Sequence, residues 1–352
     1  MKEHIHGGDI YKYQGVLDFS TNCNPLGLPQ RVKEKIVESI ESLHQYPEVG
    51  YPALKEALAV YEGVPSESVI CGNGAAELLF SLCLAVKPKR ALLLAPSFAE
   101  YEQALESADC SIEYAFLSEA AGFEVQKDLL DRIHPELDIM FLCNPNNPTG
   151  LLTSKQLLLA ILQKCQECRC QLVVDECFMD FVEDRQSYTI VDQLSPYEDT
   201  LFILKAFTKR YAMAGIRLGY GLSANHTLLA KIRQVTQPWN VSTIAQQAGI
   251  AALQEEEFVR HSMQLIHRER RYLLSSLADT DLIVYEGKAN YLFFKTTLPL
   301  WERCLAHQIL IRDCQNYTGL TAGYYRVAVR THEENVRLVE VLRRIMTESE
   351  EA

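Results

Sequence analysis

The segment KAFTKRYAMAGIRLGY, residues 205–220, joins two stretches that favour short buried strands. One is Phe202-Ile203-Leu204 and the other begins at Arg217; both are rich in apolar and small residues, as strands covered on both faces are. An amine between two buried strands is unfavourable unless it has a partner or a chemical task. The segment carries two, Lys205 and Lys209. Either they serve a site, or they are exposed loop charges, as most lysines are.

Similar apolar strands alternate with helices through most of the chain. The pattern predicts strands near residues 69–71, 91–94, 139–143, 171–174, 202–204 and 218–222, and helices near 29–43, 75–86, 98–107 and 154–167. Such alternation is typical of an α/β fold, in which a mostly parallel sheet is covered by helices on both faces and binds ligands beyond the carboxyl ends of its strands.

The pattern changes at about residue 226. A long helix (254–278) is followed by short strands near 282–285, 291–295, 309–311 and 325–329, and by a last helix (333–346). This arrangement predicts a smaller α+β domain. The predicted division is an N-terminal arm (1–28), a large domain (29–225) and a small C-terminal domain (226–352).

The composition argues against several classes of protein. The 352 residues are 48% hydrophobic and 23% charged, and the formal net charge is −12. An acidic chain is not suited to general binding of nucleic acid or acidic membranes. No apolar run approaches the roughly 18 residues of a membrane-spanning helix, and the N-terminus lacks an apolar signal core. We therefore expect a cytoplasmic protein.

Eleven cysteines are spread along the chain without the spacing of a disulfide framework. That distribution fits reduced thiols in a cytosol. Cys165, Cys168 and Cys170 form one cluster, but a four-ligand metal site would need another ligand and no second paired motif offers one. We expect no metal, and three reduced thiols where a helix ends.

Three predicted strands are followed by residues that suit a ligand site. GNGAAE (72–77) leads from a strand into a helix, where free N–H groups bind an anion such as phosphate. NPNNPTG (144–150) forms a rigid loop with amide side chains. Asp175 ends a buried strand, where a carboxylate needs a cation or hydrogen-bond donors. Taken singly, each could be an ordinary turn, a helix cap or a structural ion pair.

Pyridoxal phosphate is a cofactor that would use all these features. It needs a lysine for a Schiff base, a carboxylate beside its ring nitrogen and an anion site for its phosphate. Over nearly its whole length the chain resembles the fold-type I aminotransferase family, through five motifs in order. These are PSF (96–98), NPTG (147–150), the DE pair (175–176), TK (208–209) and GIRLG (215–219).

The resemblance implies a role for each matching residue. Lys209, and not Lys205, would form the Schiff base; Asp175 would face the ring nitrogen and Arg217 the cofactor phosphate. Toward the cofactor ring, Asn147 would bond the hydroxyl oxygen and Phe98 would stack on the ring. Toward the phosphate, the resemblance implies contacts from Thr208 and from the N–H groups of Gly74, Ala75 and Ala76. Tyr51 would reach the phosphate of the neighbouring subunit, which implies a homodimer.

Two branches of that family are nearest: the threonine-phosphate decarboxylases of cobalamin synthesis and the histidinol-phosphate aminotransferases. The stretches HGGDI (6–10), LDFSTNCNPLG (17–27), RDCQNYTGL (312–320) and YYRVAVRTHEEN (324–335) resemble the decarboxylases. We therefore expect decarboxylation of L-threonine O-3-phosphate to 1-amino-2-propanol phosphate, or of phosphoserine to ethanolamine phosphate. The alternatives are an aminotransferase, or a cofactor-binding regulatory protein, which would need a basic DNA-binding segment that the sequence lacks.

Two positions depart from the usual family pattern. Phe178 stands where a tyrosine usually bonds the ring hydroxyl oxygen, which leaves that oxygen to Asn147. A phenylalanine at this position is a further resemblance to the decarboxylase branch, which often has one there. Ala206 stands where a serine usually contacts the cofactor phosphate, so Thr208 and Arg217 would hold the phosphate with the helix start.

The expected substrate is a small phospho-amino acid, so its contacts should be cationic. The family resemblance assigns the substrate carboxylate to Arg326 and the substrate phosphate to Arg312, since arginine grips either group with two parallel hydrogen bonds. Arg326 and Arg330 could instead be strand charges that face water. The arm residues expected to close over the substrate are His6, Gly7, Thr21 and Asn22.

Overall fold

The computed structural model of the protein describes residues 7–350. His6, one of the predicted substrate contacts, lies outside the described residues. The strands are β1 Leu17–Asp18, β2 Val69–Asn73, β3 Arg90–Ala95, β4 Ser111–Phe116, β5 Ile139–Cys143, β6 Gln171–Asp175, β7 Leu201–Ala206, β8 Leu218–Leu222, β9 Ile283–Tyr285, β10 Tyr291–Lys295, β11 Ile309–Leu310, β12 Arg312–Asp313 and β13 Tyr324–Ala328. The α-helices are α1 Gln30–Ser39, α2 Pro52–Glu62, α3 Gly74–Val86, α4 Glu100–Glu106, α5 Lys155–Cys168, α6 Phe207–Arg210, α7 His226–Val235, α8 Thr243–Leu253, α9 Glu256–Leu277, α10 Leu300–Ala306 and α11 His332–Glu350.

A seven-stranded sheet forms the centre of the larger body. Its order is β2-β8-β7-β6-β5-β3-β4, and β8 alone in this sheet runs antiparallel to its neighbours. Every residue of β5 is buried, because hydrophobic clusters cover both faces of the sheet. The predicted mostly parallel α/β sheet is confirmed. Since β5, β6 and β7 are parallel, the residues that follow them meet at one edge.

A four-stranded antiparallel sheet of order β12-β13-β10-β9 forms the second body. Apolar side chains of α9 and α11, among them Ile266 and Leu338, pack with this sheet in one hydrophobic cluster. The N-terminal arm is tied to this body, because β1 pairs in parallel with β11. The arm therefore leads from the small sheet toward the edge of the large one.

Helices α7 and α8 follow the predicted domain boundary at residue 225 but pack with the larger body. Leu229 of α7 shares a cluster with the large sheet, and Ala248 of α8 lies in the cluster on the opposite face. Packing therefore associates residues 226–253 with the larger body, while the division into domains at residue 225 stays a prediction.

Two further features bear on the expected class of protein. Between residues 7 and 350, none of the helices is long and apolar enough to cross a membrane. All eleven cysteines are free thiols. Cys165, Cys168 and Cys170 are buried in the core, and the described part of the chain contains no group of three or more histidine, cysteine or acidic residues placed to hold a metal.

Candidate active site

A cavity of about 360 Å³ opens where β5, β6 and β7 end, and residues from the arm and from the small sheet close its far side. Most predicted site residues contribute to its wall. These are Gly7, Thr21, Asn22, Ala75, Ala76, Phe98, Asn147, Asp175, Thr208, Lys209, Arg217, Arg312 and Arg326. The fold thus brings together residues that are up to about 300 positions apart in the sequence, because strand ends of the large body face the small one.

Asp175 lies at the floor of the cavity and is only 4% exposed. Its Oδ2 accepts a hydrogen bond from the Tyr101 hydroxyl at 2.6 Å, and its Oδ1 accepts one from the Cys177 N–H at 2.9 Å. Burial raises the pKa of Asp175, although these donors and Lys209 oppose the rise. A cation placed against this carboxylate would stabilise its ionised form.

The structure distinguishes the two lysines of the segment 205–220, Lys205 and Lys209. Lys209 lies in the short helix α6 at the cavity wall, and its Nζ lies 5.9 Å from the centre of the Phe178 ring. Its backbone carbonyl accepts a hydrogen bond from the N–H of Asn24, and the Asn24 side chain donates to the carbonyl of Arg210. The arm therefore fixes the turn that presents Lys209 to the cavity.

Lys205 instead points into the protein core. Its Nζ lies 3.1 Å from Glu62 and 3.3 Å from Glu176, and Glu62 also accepts a hydrogen bond from Tyr220 at 2.5 Å. Burial alone would lower the pKa of Lys205, but the two carboxylates outweigh burial and raise it. Lys205 is a structural cation that links β7 to the end of helix α2 and to the residue after β6.

Replacing Lys205 with methionine should destabilise the fold by about 3–5 kcal/mol, because two buried carboxylates would lose their cation. The measurement is the free energy of unfolding from urea titration. Lys155→Met is the matched control: it breaks the more exposed pair with Asp192 and should cost less than about 1 kcal/mol. Equal losses in the two variants would show that the Lys205 pairs are not structural.

A second part of the cavity suits a phosphate group. Helix α3 begins at Gly74, whose φ is +78°, and a Cβ there would lie 2.5 Å from Nη2 of Arg217. Only glycine permits both this conformation and this approach. Free N–H groups at the start of α3, the Arg217 guanidinium and the Thr208 hydroxyl therefore border one corner of the cavity.

Asn147 and Arg326 lie together on the side formed by the small sheet. Arg326 is 6% exposed; its Nη1 donates to Asn147 Oδ1 at 2.5 Å, and its Nη2 donates to the Ser20 carbonyl at 2.9 Å. Arg326 therefore does not face water. Arg330, by contrast, is half-buried, bonds Asp18 and Glu334, and does not line the cavity.

Two buried polar atoms on this side have no hydrogen-bond partner within residues 7–350. They are Asn22 Oδ1 and Arg326 Nε. Because unpaired buried polar groups are unfavourable, such atoms beside a cavity indicate a place where a polar ligand completes the bonding.

Arg312 enters the cavity from β12. Its guanidinium carbon lies 5.3 Å from the centre of the Tyr317 ring, and its Nη2 donates to Asn316 at 2.7 Å. The two contacts hold the cation in one orientation at the cavity wall. Nearby on the arm, the Thr21 hydroxyl donates to Asp18 at 2.7 Å, which fixes the segment that also contains Asn22.

Tyr51 does not line the cavity, and its hydroxyl is bonded within the chain. It is 7% exposed, and its hydroxyl donates to the Cys71 carbonyl and accepts from the Cys71 N–H, both at 3.0 Å. The exposed tyrosine of the same region is Tyr46, which is 78% exposed and stacks on Trp239 with ring centres 4.6 Å apart. Of these two tyrosines, Tyr46 presents its ring at the surface and Tyr51 does not.

Sequence reasoning missed three residues that matter in the cavity. Tyr101, three positions after Phe98, bonds Asp175, and Tyr317 donates to Asn147 Oδ1 at 3.2 Å. Glu100 lines the wall beside Phe98. The three-residue spacing from Phe98 could have pointed to Tyr101, since residues three apart share a helix face. Glu100 has no such spacing, and Tyr317 lies in an irregular segment of the RDCQNYTGL stretch without periodicity that would single it out.

Known proteins are similar to this chain both in sequence and in architecture. The chain matches the model of the aminotransferase class I and II family over residues 14–342. It is 37% identical to the threonine-phosphate decarboxylase of Salmonella typhimurium, over 97% of this chain and 96% of that protein. The solved histidinol-phosphate aminotransferase from Clostridium acetobutylicum matches with a TM-score of 0.88 and 30% identity, covering 95% of this chain and 100% of that one.

A second solved structure extends the likeness of the fold. The L-threonine-O-3-phosphate decarboxylase from Porphyromonas gingivalis matches with a TM-score of 0.82 and 22% identity, over 94% of this chain and 99% of that one. The family match and the full-length relative agree with the motifs around Lys209 and Asp175. The chain therefore belongs to the family of class I and II aminotransferases.

Proposed function

We propose that the protein is a pyridoxal-phosphate-dependent decarboxylase of L-threonine O-3-phosphate, which releases carbon dioxide and 1-amino-2-propanol phosphate for cobalamin synthesis. The observation that carries the proposal is one cavity with Lys209 and Asp175 on one side and Arg312 and Arg326 on the other. Two separate arginines suit a substrate with two anionic groups. The 37% identity to a threonine-phosphate decarboxylase supports the same choice.

The chain's own residues fit the proposed cofactor. Asp175 is a buried carboxylate that a ring cation would stabilise, and Lys209 offers the amine for covalent attachment. The start of α3, with Arg217 and Thr208, is the anion site for the cofactor phosphate. When bound, pyridoxal phosphate supplies an electron-withdrawing ring that accepts the electron pair of the bond broken at the substrate Cα.

The remaining steps depend on how the chain holds the substrate. Arg326 would bind the substrate carboxylate and Arg312 the phosphate, and together they set which bond at Cα is broken. Lys209 would return a proton to Cα after carbon dioxide leaves, since its amine lies at the same wall. The arm, through Gly7, Thr21 and Asn22, would exclude water from the cavity.

Histidinol-phosphate aminotransferase is the second candidate, because a solved enzyme of that name has 30% identity and the same fold. The test compares two assays of the cofactor-loaded protein. One contains O-phospho-L-threonine without a keto acid, and the other contains histidinol phosphate with 2-oxoglutarate. The proposal expects kcat/KM for phosphothreonine to exceed that for histidinol phosphate by at least about 10³-fold. Discrimination of this size arises when the wrong substrate leaves buried polar groups of the site without hydrogen-bond partners. Glutamate formed in the second assay, with no carbon dioxide in the first, would favour the aminotransferase.

The protein is further proposed to act as a homodimer in the cytoplasm. Val37, Tyr46, Val49 and Trp239 are large apolar residues that are 65%, 78%, 70% and 46% exposed. Tyr46 stacks on Trp239, and Asn240, next to Trp239, bonds Glu77 in the first turn of α3, close to the cavity. Exposed apolar groups of this size mark interaction sites, and a second copy seated there would lie near the cofactor phosphate.

The proposed location in the cytoplasm is supported by the cysteines, because eleven free thiols fit a reducing compartment.

Val49→Asp is expected to convert the dimer to a monomer, because a charge would enter an apolar interface. Light scattering of the eluted protein measures the mass. Phe116→Asp is the control, since Phe116 is 65% exposed on β4, at the opposite edge of the sheet from β2, and should leave the dimer intact. A monomeric wild-type protein at micromolar concentration would refute the dimer.

A further inference from the structure

Glu100 is an unexpected group in a cavity that binds anions. It begins helix α4, two residues after Phe98, and its side chain lines the cavity. Of the cavity-lining residues that the structure describes, Asp175 and Glu100 alone carry a carboxyl group. Asp175 has a role toward the cofactor ring, whereas the proposed mechanism gives Glu100 none.

Charged and titratable groups face Glu100 from several elements. Lys209 of α6 and Arg312 of β12 are the cations, Asp175 of β6 is an anion, and Tyr317 follows β12. Arg312 is also the residue proposed to bind the substrate phosphate. Glu100 therefore lines the same cavity as the arginine to which the proposed function assigns the substrate phosphate.

The balance of charge favours a neutral Glu100 when substrate is present. Arg312 and Arg326 supply two positive charges, whereas a carboxylate and a phosphate together carry about −2.5 to −3 at neutral pH. An ionised Glu100 would add another negative charge at the same wall. A neutral carboxyl group would instead offer an O–H donor, and phosphate oxygens accept such bonds.

The environment makes this protonation accessible near neutral pH. Burial raises the pKa of Glu100 to about 7; a backbone N–H, Lys209 and Arg312 oppose the rise, while Asp175 adds to it. A phosphate dianion brought close would raise the pKa further.

We propose that Glu100 is a specificity-determining contact of the substrate: it takes up a proton when the substrate binds and then donates a hydrogen bond to a phosphate oxygen. The proposal deepens the proposed function and rests on it. No covalent bond changes; one proton moves from solvent to Glu100 Oε, and the phosphate remains a dianion. Affinity for the substrate should then fall as the pH rises above the range in which Glu100 titrates.

The experiment measures the dissociation constant of O-phospho-L-threonine with the cofactor-loaded protein, by absorbance under stopped-flow conditions before turnover, at pH 6.5 and 8.5. For the wild type the dissociation constant should increase about 20-fold between these values, since affinity follows the protonated fraction. Glu100→Gln keeps a donor and has no charge, so its dissociation constant should change less than about 3-fold. Glu100→Ala should bind weakly at both pH values, because the donor is lost.

Controls separate this contact from general effects. Glu106→Gln removes an exposed carboxylate from the same helix and should keep the wild-type pH dependence. A pH indicator in the same stopped-flow experiment at pH 8, read before turnover, should give about one more proton taken up by the wild type than by Glu100→Gln. The readout is the difference in proton uptake between the wild type and Glu100→Gln. The substrate amine also changes its protonation, but it does so in both proteins and cancels in the difference.

The outcomes distinguish this inference from the proposed function. Equal pH dependence and equal proton uptake in the wild type and Glu100→Gln would overturn the role of Glu100 alone. If the wild type bound no phosphothreonine at either pH, the proposed function would fail, and the inference with it.

Discussion

Replacing Lys209 with alanine is expected to lower kcat by about 10⁴-fold, because one amine both attaches the cofactor and carries the proton to Cα. The fold should be retained, since the Lys209 side chain is in none of the described ion pairs or side-chain hydrogen bonds of residues 7–350 and lies at a cavity wall. The direct readout is borohydride reduction followed by peptide mass analysis, which should find the cofactor on Lys209 in the wild type and on no lysine in the variant.

Lys205→Arg is the matched control for this experiment. It keeps the cation beside Glu62 and Glu176, and the cofactor should still be found on Lys209. A cofactor attached to Lys205 in the wild type, or full activity in Lys209→Ala, would contradict the assignment of the two lysines.

Replacing Arg326 with lysine is expected to lower kcat/KM for phosphothreonine by about 30- to 5,000-fold, the equivalent of roughly 2–5 kcal/mol for a buried charge partner. Lysine keeps the charge, but it cannot bond Asn147, the Ser20 carbonyl and a carboxylate with one planar group. The loss should appear in both KM and kcat if Arg326 also orients the bond that breaks, and steady-state kinetics with carbon dioxide detection separates the two.

Arg330→Lys provides the comparison, because Arg330 is four residues away and bonds Asp18 and Glu334 outside the cavity. Its kcat/KM should remain within about 3-fold of the wild type, while the protein becomes modestly less stable. If Arg330→Lys lost as much activity as Arg326→Lys, the loss would reflect the small sheet as a whole and not a substrate contact.

Local patterns were sufficient to predict six of the seven strands of the large sheet, all but β4, and much of the cavity. The strands β2, β3 and β5 are short and largely apolar and are followed by glycine, proline or amide residues. The bounds of β5 match its prediction at residues 139–143. Asp175 ends β6 and Lys209 lies just after the neighbouring parallel strand β7, so the sheet brings them to the same edge. The helices α2, α7, α8 and α10 were not predicted, although α2, α7 and α8 are at least as long as the predicted α1.

Contacts between distant segments could not be predicted in this way. Tyr51 shows why: its place in the sequence suggested a partner subunit, but its hydroxyl bonds the backbone of β2. Glu100 was not singled out from the sequence, because the small-sheet residue Arg312 that interacts with it electrostatically is more than 200 positions away. Burial and charge at such positions depend on how the two bodies pack.

The most direct test of the proposed function counts carbon dioxide released per active site from carboxyl-labelled O-phospho-L-threonine, with the cofactor-loaded protein and no keto acid. A decarboxylase should release well over one equivalent, with 1-amino-2-propanol phosphate formed in equal amount, and Lys209→Ala should release none. No carbon dioxide, with the cofactor converted once to its amine form and restored only by 2-oxoglutarate, would contradict the proposal and identify an aminotransferase.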